Sequence, residues 1–384
     1  MKRVASISMA AALASLSASA HAQSSVTLYG IVDAGISYIK TTTGNRYSLL
    51  SGGLSGNRWG LRGSEDLGGG MRAIFQLESG FAIGTGKLAQ GGREFGRQAF
   101  VGLASERWGT LELGRMYDPV VDLVQPLSAD GAGGSVPFAT PGDVDNNDFS
   151  ARVSNAVKYL SPLYSGLQFE ALYAFGGVAG STGQGYTYSG AVSYSNGPFK
   201  LAAGYMQATN ANAATGKRTG WTSGSTDALF EGGSINAAYQ SAHVLGIAQA
   251  AAQYQLGAFT LGAGYSNARY TSDGESTFGT TERFNTGRVY AFYRSTPSLR
   301  FGLGYILTAA SGDTSAHYNV VSAGSFYQLS KRTDVYLTGA FQRASGTQRT
   351  ASGGTQRALA TISSYGIDGT GTQEIVTVGL RHRF

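Results

Sequence analysis

Apolar and polar residues alternate along this chain with a period of two, in one segment after another. In residues 26–38, one face holds Val26, Leu28, Val32, Ala34, Ile36 and Tyr38, and the residues between them are mostly small or polar. The same alternation recurs in residues 71–79, 167–175 and 376–384. A period of two predicts β-strands with one apolar face and one polar face.

The connections between these segments alternate in length. Seven are short and rich in turn-forming residues, at 66–70, 105–109, 161–166, 196–198, 255–258, 295–298 and 329–333. Eight are long, at 40–56, 81–94, 117–150, 176–185, 207–241, 270–283, 309–316 and 344–373. This strict alternation predicts a meander of sixteen antiparallel strands, with every short turn at one end and every long loop at the other.

The apolar face must meet either a protein core or lipid. A soluble sandwich would bury apolar faces against each other, whereas a membrane barrel turns them towards lipid and its polar faces towards a lumen. Strands of roughly ten residues suit a tilted membrane span, and lipid requires the sheet to close. Aromatic residues near the strand ends fit interfacial girdles, at Tyr38, Trp59, Phe81, Trp108, Tyr159, Phe175, Tyr205, Tyr270, Phe284, Phe341 and Phe384. We therefore predict an all-β fold, a sixteen-stranded antiparallel transmembrane β-barrel.

The third long loop, residues 117–150, dominates the candidate chemistry. It exceeds thirty residues and holds six aspartates, while the strands around it carry arginines. Such a long loop is rare in a compact domain unless it has a function. We predict that it folds into the barrel and faces those arginines across a water-filled lumen. The alternation of apolar and polar residues does not decide whether Arg97 faces the lumen or the lipid, because Arg97 shares its parity with the apolar residues Val101 and Leu103.

Composition adds a targeting segment and excludes some functions. Residues 1–22 begin with Lys2 and Arg3, continue with small apolar residues and end in Ala20-His21-Ala22, which predicts a signal peptide and a barrel over 23–384. No later segment approaches twenty apolar residues, so no transmembrane helix is expected after it. The mature chain has 27 basic and 23 acidic residues and no cysteine. This balance does not indicate nucleic-acid binding.

Specific segments carry a resemblance to a known family. They are SSVTLYGIVDAGISY (24–38), NRWGLRGSEDLGGGMRAIFQLESGF (57–81), GRQAFVGLASERWGTLELGRMYDP (96–119), RVSNAVKYLSP (152–162) and the terminal VGLRHRF. Together they make the chain resemble the general porins of Gram-negative outer membranes, most closely those of the β-proteobacterial branch. The resemblance implies a homotrimer whose third loop forms a constriction, and a C-terminal aromatic residue, Phe384, used in assembly.

The resemblance also assigns residues to the constriction. It implies basic wall residues at Arg58, Arg97 and Arg152 and acidic loop residues at Asp122 and Asp130. Ile31 stands where enteric members carry a basic residue, and their loop signature PEFGG is absent. Further candidates for the pore lining are Arg62, Arg72, Arg115, Lys158, Glu78 and Glu112.

The expected function is passive diffusion of ions and small hydrophilic solutes across the outer membrane. The alternative is a substrate-specific channel or a surface-binding barrel. Expected partners are outer-membrane lipids, lipopolysaccharide and the assembly machinery. The sign of ion selectivity stays open, because the loop aspartates oppose the arginines.

Two other kinds of site are weaker hypotheses. Asp143 and Asp145 resemble the start of a calcium loop but lack its later glycine and glutamate, which favours a solvated turn. The mature chain retains three histidines, His243, His317 and His382, without an evident Ser or Asp partner. We therefore expect no enzyme activity, no metal and no cofactor.

Overall fold

The computed structural model describes residues 25–134, 136–148, 151–177, 179–180, 183–210, 233–362 and 367–384. The predicted signal peptide, residues 1–22, lies outside them. The described strands are β1 (Ser25–Thr41), β2 (Gly44–Ser51), β3 (Arg58–Gly68), β4 (Met71–Gly80), β5 (Gln98–Ser105), β6 (Gly109–Met116), β7 (Val153–Leu160), β8 (Leu167–Ala174), β9 (Thr187–Asn196), β10 (Phe199–Thr209), β11 (Val244–Leu256), β12 (Phe259–Thr271), β13 (Glu282–Arg294), β14 (Leu299–Ser311), β15 (Ser315–Gln328), β16 (Thr333–Arg349), β17 (Thr355–Arg357) and β18 (Thr372–Arg383).

The strands form one closed antiparallel sheet. Each wall strand pairs with its sequence neighbour in the wall, and β1 closes the ring by pairing with β18, from Ile31 opposite Arg383 to Ile39 opposite Ile375. The short strands β2 and β17 pair with β1 and β16 inside the long connections that contain them. The other sixteen strands form the wall, so the predicted sixteen-stranded barrel is confirmed.

The two faces of the wall differ as the alternation predicts. On β18, the Val378 side chain is 60% exposed whereas Thr377 is 1% exposed. Large exposed apolar residues recur at every second position around the wall, including Leu303, Val289 and Val321. The apolar face therefore points outward, towards lipid. Among the described residues, no helix is long and apolar enough to cross a membrane.

The chain end completes the closure of the barrel. Phe384 exchanges two backbone hydrogen bonds with Gly30, with N···O distances of 3.1 and 3.0 Å. A Cβ at Gly30 would lie 2.3 Å from the Phe384 ring and 2.7 Å from the carbonyl oxygen of Arg58. Gly30 therefore gives the terminal ring the space it needs to lie across β1.

Four large rings on the inner face lie under the third loop: Tyr290, Phe292, Phe326 and Tyr336, all buried. Glycines on the neighbouring strands leave space for them. A Cβ at Gly302 would lie 2.3 Å from Phe292, and one at Gly379 would lie 2.2 Å from Tyr336. Phe138 of the third loop packs on Phe292, with ring centroids 5.9 Å apart. The four rings therefore form an apolar surface on which Phe138 and Ala129 of the third loop pack.

The third long connection joins β6 to β7 over residues 117–152. It begins with helix α1 (Pro119–Leu123), whose N-terminus is capped by Asp118 through the backbone N–H of Val120. Short turns of helix follow at Gln125–Leu127, Asp130–Gly134, Val136–Phe138 and Pro141–Asp143, and two more lie elsewhere at Gln90–Gly92 and Ala237–Tyr239.

Side chains from the inner face of the wall bind this loop. Tyr290 donates to the carbonyl of Leu127 at 2.8 Å, and Arg300 donates to the carbonyl of Ala132 at 3.0 Å. The neighbours of these wall residues along the strands, Val289 and Phe301, are exposed on the outer face. The loop is thus hydrogen-bonded to the lumen side of strands that are distant from β6 and β7 in sequence.

Replacing Gly30 by valine should hinder closure of the barrel. The new side chain would overlap the Phe384 ring and the β3 backbone, an overpacking that costs about 1–3 kcal/mol. We expect a lower yield of folded protein and a lower denaturation midpoint, measured by the mobility of unheated samples on gels and by tryptophan fluorescence. Gly287→Val is the matched control, because a Cβ there meets nothing within 4 Å. Equal folding of the two variants would contradict this account.

Candidate functional site: charged clusters between the wall and the third loop

Three arginines meet around Tyr117 at the start of the third loop. The Tyr117 hydroxyl oxygen accepts from Arg97 Nη2 at 2.7 Å and from Arg152 Nη2 at 2.8 Å. Arg97 Nε also donates to Glu78 Oε1 at 2.7 Å, in a pair that is almost fully buried. Arg58 donates from Nε to the carbonyl of Gly56, where the guanidinium of Arg97 also approaches. We call these five residues, Arg58, Glu78, Arg97, Tyr117 and Arg152, the Tyr117 cluster.

The backbone brings these arginines together where strands end. Arg97 precedes β5, and its N–H donates to the carbonyl of Glu78. Although Arg97 shares the parity of outward-facing Val101, its guanidinium is bound to inward-facing Glu78. Arg152 precedes β7, which carries a bulge: Gly114 pairs with Ala156 and Met116 with Val153, so that two β7 residues oppose Arg115. Bulges of this kind redirect side chains at barrel rims.

The five residues of the cluster hold more positive than negative charge. They include three guanidiniums and one carboxylate, Glu78, which pairs with Arg97 and whose other oxygen accepts from Tyr29 at 2.9 Å. Burial alone would raise the pKa of the Tyr117 phenol, but Arg152, Arg97 and Arg58 outweigh it and hold that pKa below its ordinary value. Since arginine stays charged at any working pH, the cluster attracts negative charge.

Tyr117 was not among the residues that the sequence pointed to as part of the site. Its position at the end of the GRMYDP segment marked the start of the loop but did not identify it as the shared partner of two arginines. Arg152 also lies over the Tyr117 ring, 4.9 Å from its centroid. Only the fold shows that Arg97 and Arg152, which lie in different segments of the chain, meet at the phenol of Tyr117.

Asp122 lies on α1 and binds a lysine rather than these arginines. Its carboxylate is 2.6 Å from Lys158 Nζ, which is also 3.3 Å from Glu112. Glu170 on β8 is close enough to interact electrostatically with this lysine. The observed ionic partner of Asp122 is therefore on β7, beside the loop's own starting point. Lys158 and Glu112, both predicted as pore-lining residues, form this second cluster.

Asp130 is bound within the loop. Its carboxylate accepts from the side chains of Gln125, Ser128 and Asn147, with 2.9 Å to Asn147 Nδ2. Burial, with a smaller contribution from Asp148, raises the pKa of Asp130 to about 7 although these hydrogen bonds and Arg288 favour the ionised form. The observed hydrogen bonds make Asp130 an internal brace of the loop.

Asp143 and Asp145 do not form a solvated turn, and that part of the prediction is wrong. Both side chains are fully buried. Asp145 pairs with Arg288 of β13 and accepts from Ser266 of β12, and Asp143 accepts from the N–H of Asp148 at 2.8 Å. In the part of the chain that the structure describes, no group of three or more His, Cys, Asp or Glu residues could hold a metal ion. Asp145 instead binds the loop to β12 and β13, and Asp143 accepts a hydrogen bond within the loop.

The remaining candidates are spread over the wall. Arg62 lies over the Tyr29 ring at 5.4 Å and lines a cavity of about 320 Å³. Arg72 is exposed near the short turn between β3 and β4, opposite Asp66. Arg115 donates to the carbonyl of Gly96 at 2.8 Å and to Ser154 Oγ at 2.7 Å, which places it at the rim. None of these bonds joins the Tyr117 cluster.

The histidines lie at strand ends. His243 Nδ1 is 3.6 Å from Asp273, which lies in the connection after β12 and was not evident as a partner from the sequence. His382 Nδ1 lies 2.9 Å from Thr333 Oγ1 at the short-turn end, and His317 is exposed on β15. These contacts are on exposed surfaces, away from the clusters described above.

A closed sixteen-stranded barrel with an apolar exterior, a polar interior and a loop bound to its inner wall defines a class: outer-membrane β-barrel channels. Comparison with known proteins gives the family. The profile of the Gram-negative porin family matches residues 9–347, and the chain belongs to this family. It is an outer-membrane porin, and both family and fold are those of a channel rather than an enzyme.

Individual relatives agree with this assignment. An outer membrane porin protein of Bordetella pertussis is 34% identical over 372 residues, covering 87% of this chain and 93% of the relative. Outer membrane porin protein 32 of Delftia acidovorans is 36% identical over 212 residues, covering 52% of this chain and 58% of the relative. Among solved structures, the anion-selective porin from Comamonas acidovorans superposes with a TM-score of 0.71 at 25% identity, covering 94% of this chain and 100% of that one.

The Asp145–Arg288 pair should fix the position of the third loop. Asp145→Asn would leave a buried guanidinium without its carboxylate, which typically costs about 3–5 kcal/mol. We expect faster hydrogen exchange over residues 136–148 and noisier channel current. The double variant Asp145→Asn/Arg288→Gln removes both charges and should recover much of the lost protection. If hydrogen exchange over residues 136–148 were as fast in the double variant as in the single one, the ion pair would not be what fixes the loop.

Proposed function

We propose that this porin is a passive diffusion channel with a preference for anions, and that the third loop and the Tyr117 cluster form its constriction. The observation that carries the proposal is the distribution of partners among the charges. Asp122 is bound to Lys158, Asp145 to Arg288 and Asp130 within the loop. Of the three arginines, Arg97 pairs with Glu78, and Arg97 and Arg152 both donate to the Tyr117 hydroxyl.

The contacts of Asp122, Asp130 and Asp145 therefore lie outside the Tyr117 cluster. The buried Arg288 offsets the charge of Asp145, whereas Asp122 shares Lys158 with Glu112 in a separate group that holds more carboxylates than cations. The Tyr117 cluster keeps a net charge of +2 while its phenol is protonated, from three guanidiniums and one carboxylate. A fixed positive charge at a narrow, water-filled passage lowers the free energy of anions there and raises that of cations.

The comparisons support this sign. The Comamonas acidovorans porin, whose fold this chain shares at 25% identity, is described as anion-selective. Passage itself requires no bond-making. A small polar solute exchanges water for the charged groups of the constriction, whereas an apolar solute displaces ordered water without compensation. No observation favours a substrate-specific channel or a surface-binding barrel.

The proposal also covers how the channel is exported, assembled and surrounded in the membrane. Residues 1–22 serve as a cleaved signal peptide, and the barrel works as a homotrimer, as the resemblance to the general porins implies. Phe384 serves the assembly machinery, and its ring is partly exposed at the barrel surface, where a partner can reach it. Lipids and lipopolysaccharide surround the apolar exterior.

Neutralising the arginines should shift selectivity towards cations. In a tenfold KCl gradient, ideal selectivity corresponds to about 59 mV, and we expect Arg97→Gln/Arg152→Gln to move the reversal potential by a fraction of that value in the cation direction. Arg269→Gln removes the same kind of charge from a strand position with outward parity and is the control. An unchanged reversal potential in the double variant would refute the role of the cluster. Absence of any discrete conductance from folded protein would refute the channel itself.

The anion preference should weaken at alkaline pH. Because the pKa of Tyr117 lies below its ordinary value of 10.0, the phenol ionises at a lower pH than a free tyrosine and cancels one positive charge. The anion-to-cation permeability ratio should therefore fall as pH rises towards 10. Tyr117→Phe cannot ionise and should show a smaller fall over the same range. Identical pH profiles for the two proteins would contradict the assignment.

A further inference from the structure

A second group of arginines meets at the short-turn end of the lumen. A cavity of about 280 Å³ is lined there by Arg294, Arg300, Arg381 and Arg383, with Asp334 as its one acidic lining residue. The arginines come from β13, β14 and β18. Arg294 and Arg300 flank the short turn that contains Ser298, which also lines the cavity. None of these residues was assigned to the pore from the sequence.

Two of the four guanidiniums share the single carboxylate. Arg381 donates to Asp334 Oδ2 from Nε at 3.0 Å and from Nη2 at 2.9 Å, and Arg383 Nη2 lies 3.0 Å from the same oxygen. Arg381 Nη1 also donates to Ser55 Oγ at 2.7 Å. Asp334 thus offsets one of the two positive charges on β18, and Asp33 also interacts electrostatically with Arg381.

The guanidiniums of Arg294 and Arg300 form no ion pair with a carboxylate among the described residues. Arg300 lies between the rings of Phe292 and Phe326, 4.6 Å from each centroid, and donates to the loop carbonyls of Ala132 and Gly133. Arg294 makes one long bond, 3.4 Å, to the carbonyl of Pro297. Arg300 is held rigidly, whereas Arg294 is exposed and available to a solute.

Arg294 and Arg300 are also directly opposite each other in the sheet. Like charges at opposing positions of an antiparallel pair repel and destabilise it. An anion bound between them would turn that repulsion into attraction. The lining as a whole carries a net charge of +3, from four guanidiniums and one carboxylate.

We propose that this cavity is a binding site for a small tetrahedral oxyanion of the phosphate class, distinct from the Tyr117 cluster. A guanidinium can donate two hydrogen bonds at once to two oxygens of such an anion. Chloride is a single atom and cannot be bound in this bidentate way. Ile31 separates the two sites, because it pairs with Arg58 of the cluster on one side and with Arg383 of the cavity on the other. The cavity therefore adds a second basic site at the short-turn end of the lumen. This inference extends the proposed anion preference.

The test measures block of the chloride current by inorganic phosphate. At pH 8, where the dianion dominates, phosphate added in the millimolar range should reduce single-channel chloride conductance in a saturable manner, and more strongly from one side of the bilayer. Arg294→Gln/Arg383→Gln should raise the half-blocking concentration at least tenfold. Lys331→Gln, in the neighbouring short turn and outside the lining, should leave it unchanged. Arg294→Gln alone is the second variant if the double variant folds poorly, because Arg294 binds no carboxylate.

The outcomes separate this inference from the proposed function. A chloride-preferring conductance with no saturable block, or with a block that Arg294→Gln and the double variant leave unchanged, overturns the oxyanion site and leaves the anion-preferring channel intact. A channel without anion preference overturns the proposed function, whatever phosphate does. Calorimetric titration of the detergent-solubilised wild type with phosphate should find a site that the double variant lacks.

Discussion

The structure depends on one constraint: in hydrocarbon, every backbone N–H and C=O of a strand must find its partner within the protein. A sheet meets this requirement only by closing on itself, and here β1 closes it by pairing with β18 along nine positions. The apolar exterior, the polar interior and the strict alternation of the sequence follow from that closure. The exchange of hydrogen bonds between Gly30 and Phe384 continues it to the last residue.

A loop that turns into such a barrel meets the polar face of the wall, so its own polar groups need partners there. Wall side chains supply them: Gln249 donates to the carbonyl of Asp145, Tyr290 to that of Leu127, and Ser322 to that of Pro137. Apolar packing adds to this, since Phe138 lies on the inner rings and Val124 and Val144 join a buried cluster with residues of β11 and β12. The loop is therefore part of the packed structure of the barrel.

Fastening the loop also determines the electrostatics of the lumen. Asp145 pairs with Arg288, Asp122 shares Lys158 with Glu112, and Asp130 braces the loop from within. Around Tyr117, Arg97 pairs with Glu78, and at the short-turn mouth Asp334 is the one acidic residue that lines the cavity. An interior that holds many acidic residues thus still presents positive charge where the arginines meet. Counting the charges of the loop from the sequence cannot give this result, because it depends on which charges are paired.

The sequence by itself determined the barrel, the number of its wall strands and the outward direction of its apolar face, because period two and alternating loop lengths are local signals that lipid permits only in a closed sheet. The resemblance to the general porins singled out Arg58, Arg97 and Arg152, and the structure places Arg97 and Arg152 at the hydroxyl of Tyr117. Only the tertiary structure decided the partners of the aspartates, the place of Tyr117 between two guanidiniums and the meeting of Arg294 with Arg381 at one mouth. Those contacts join residues far apart in the chain, up to 143 positions for Asp145 and Arg288, and no local pattern records them.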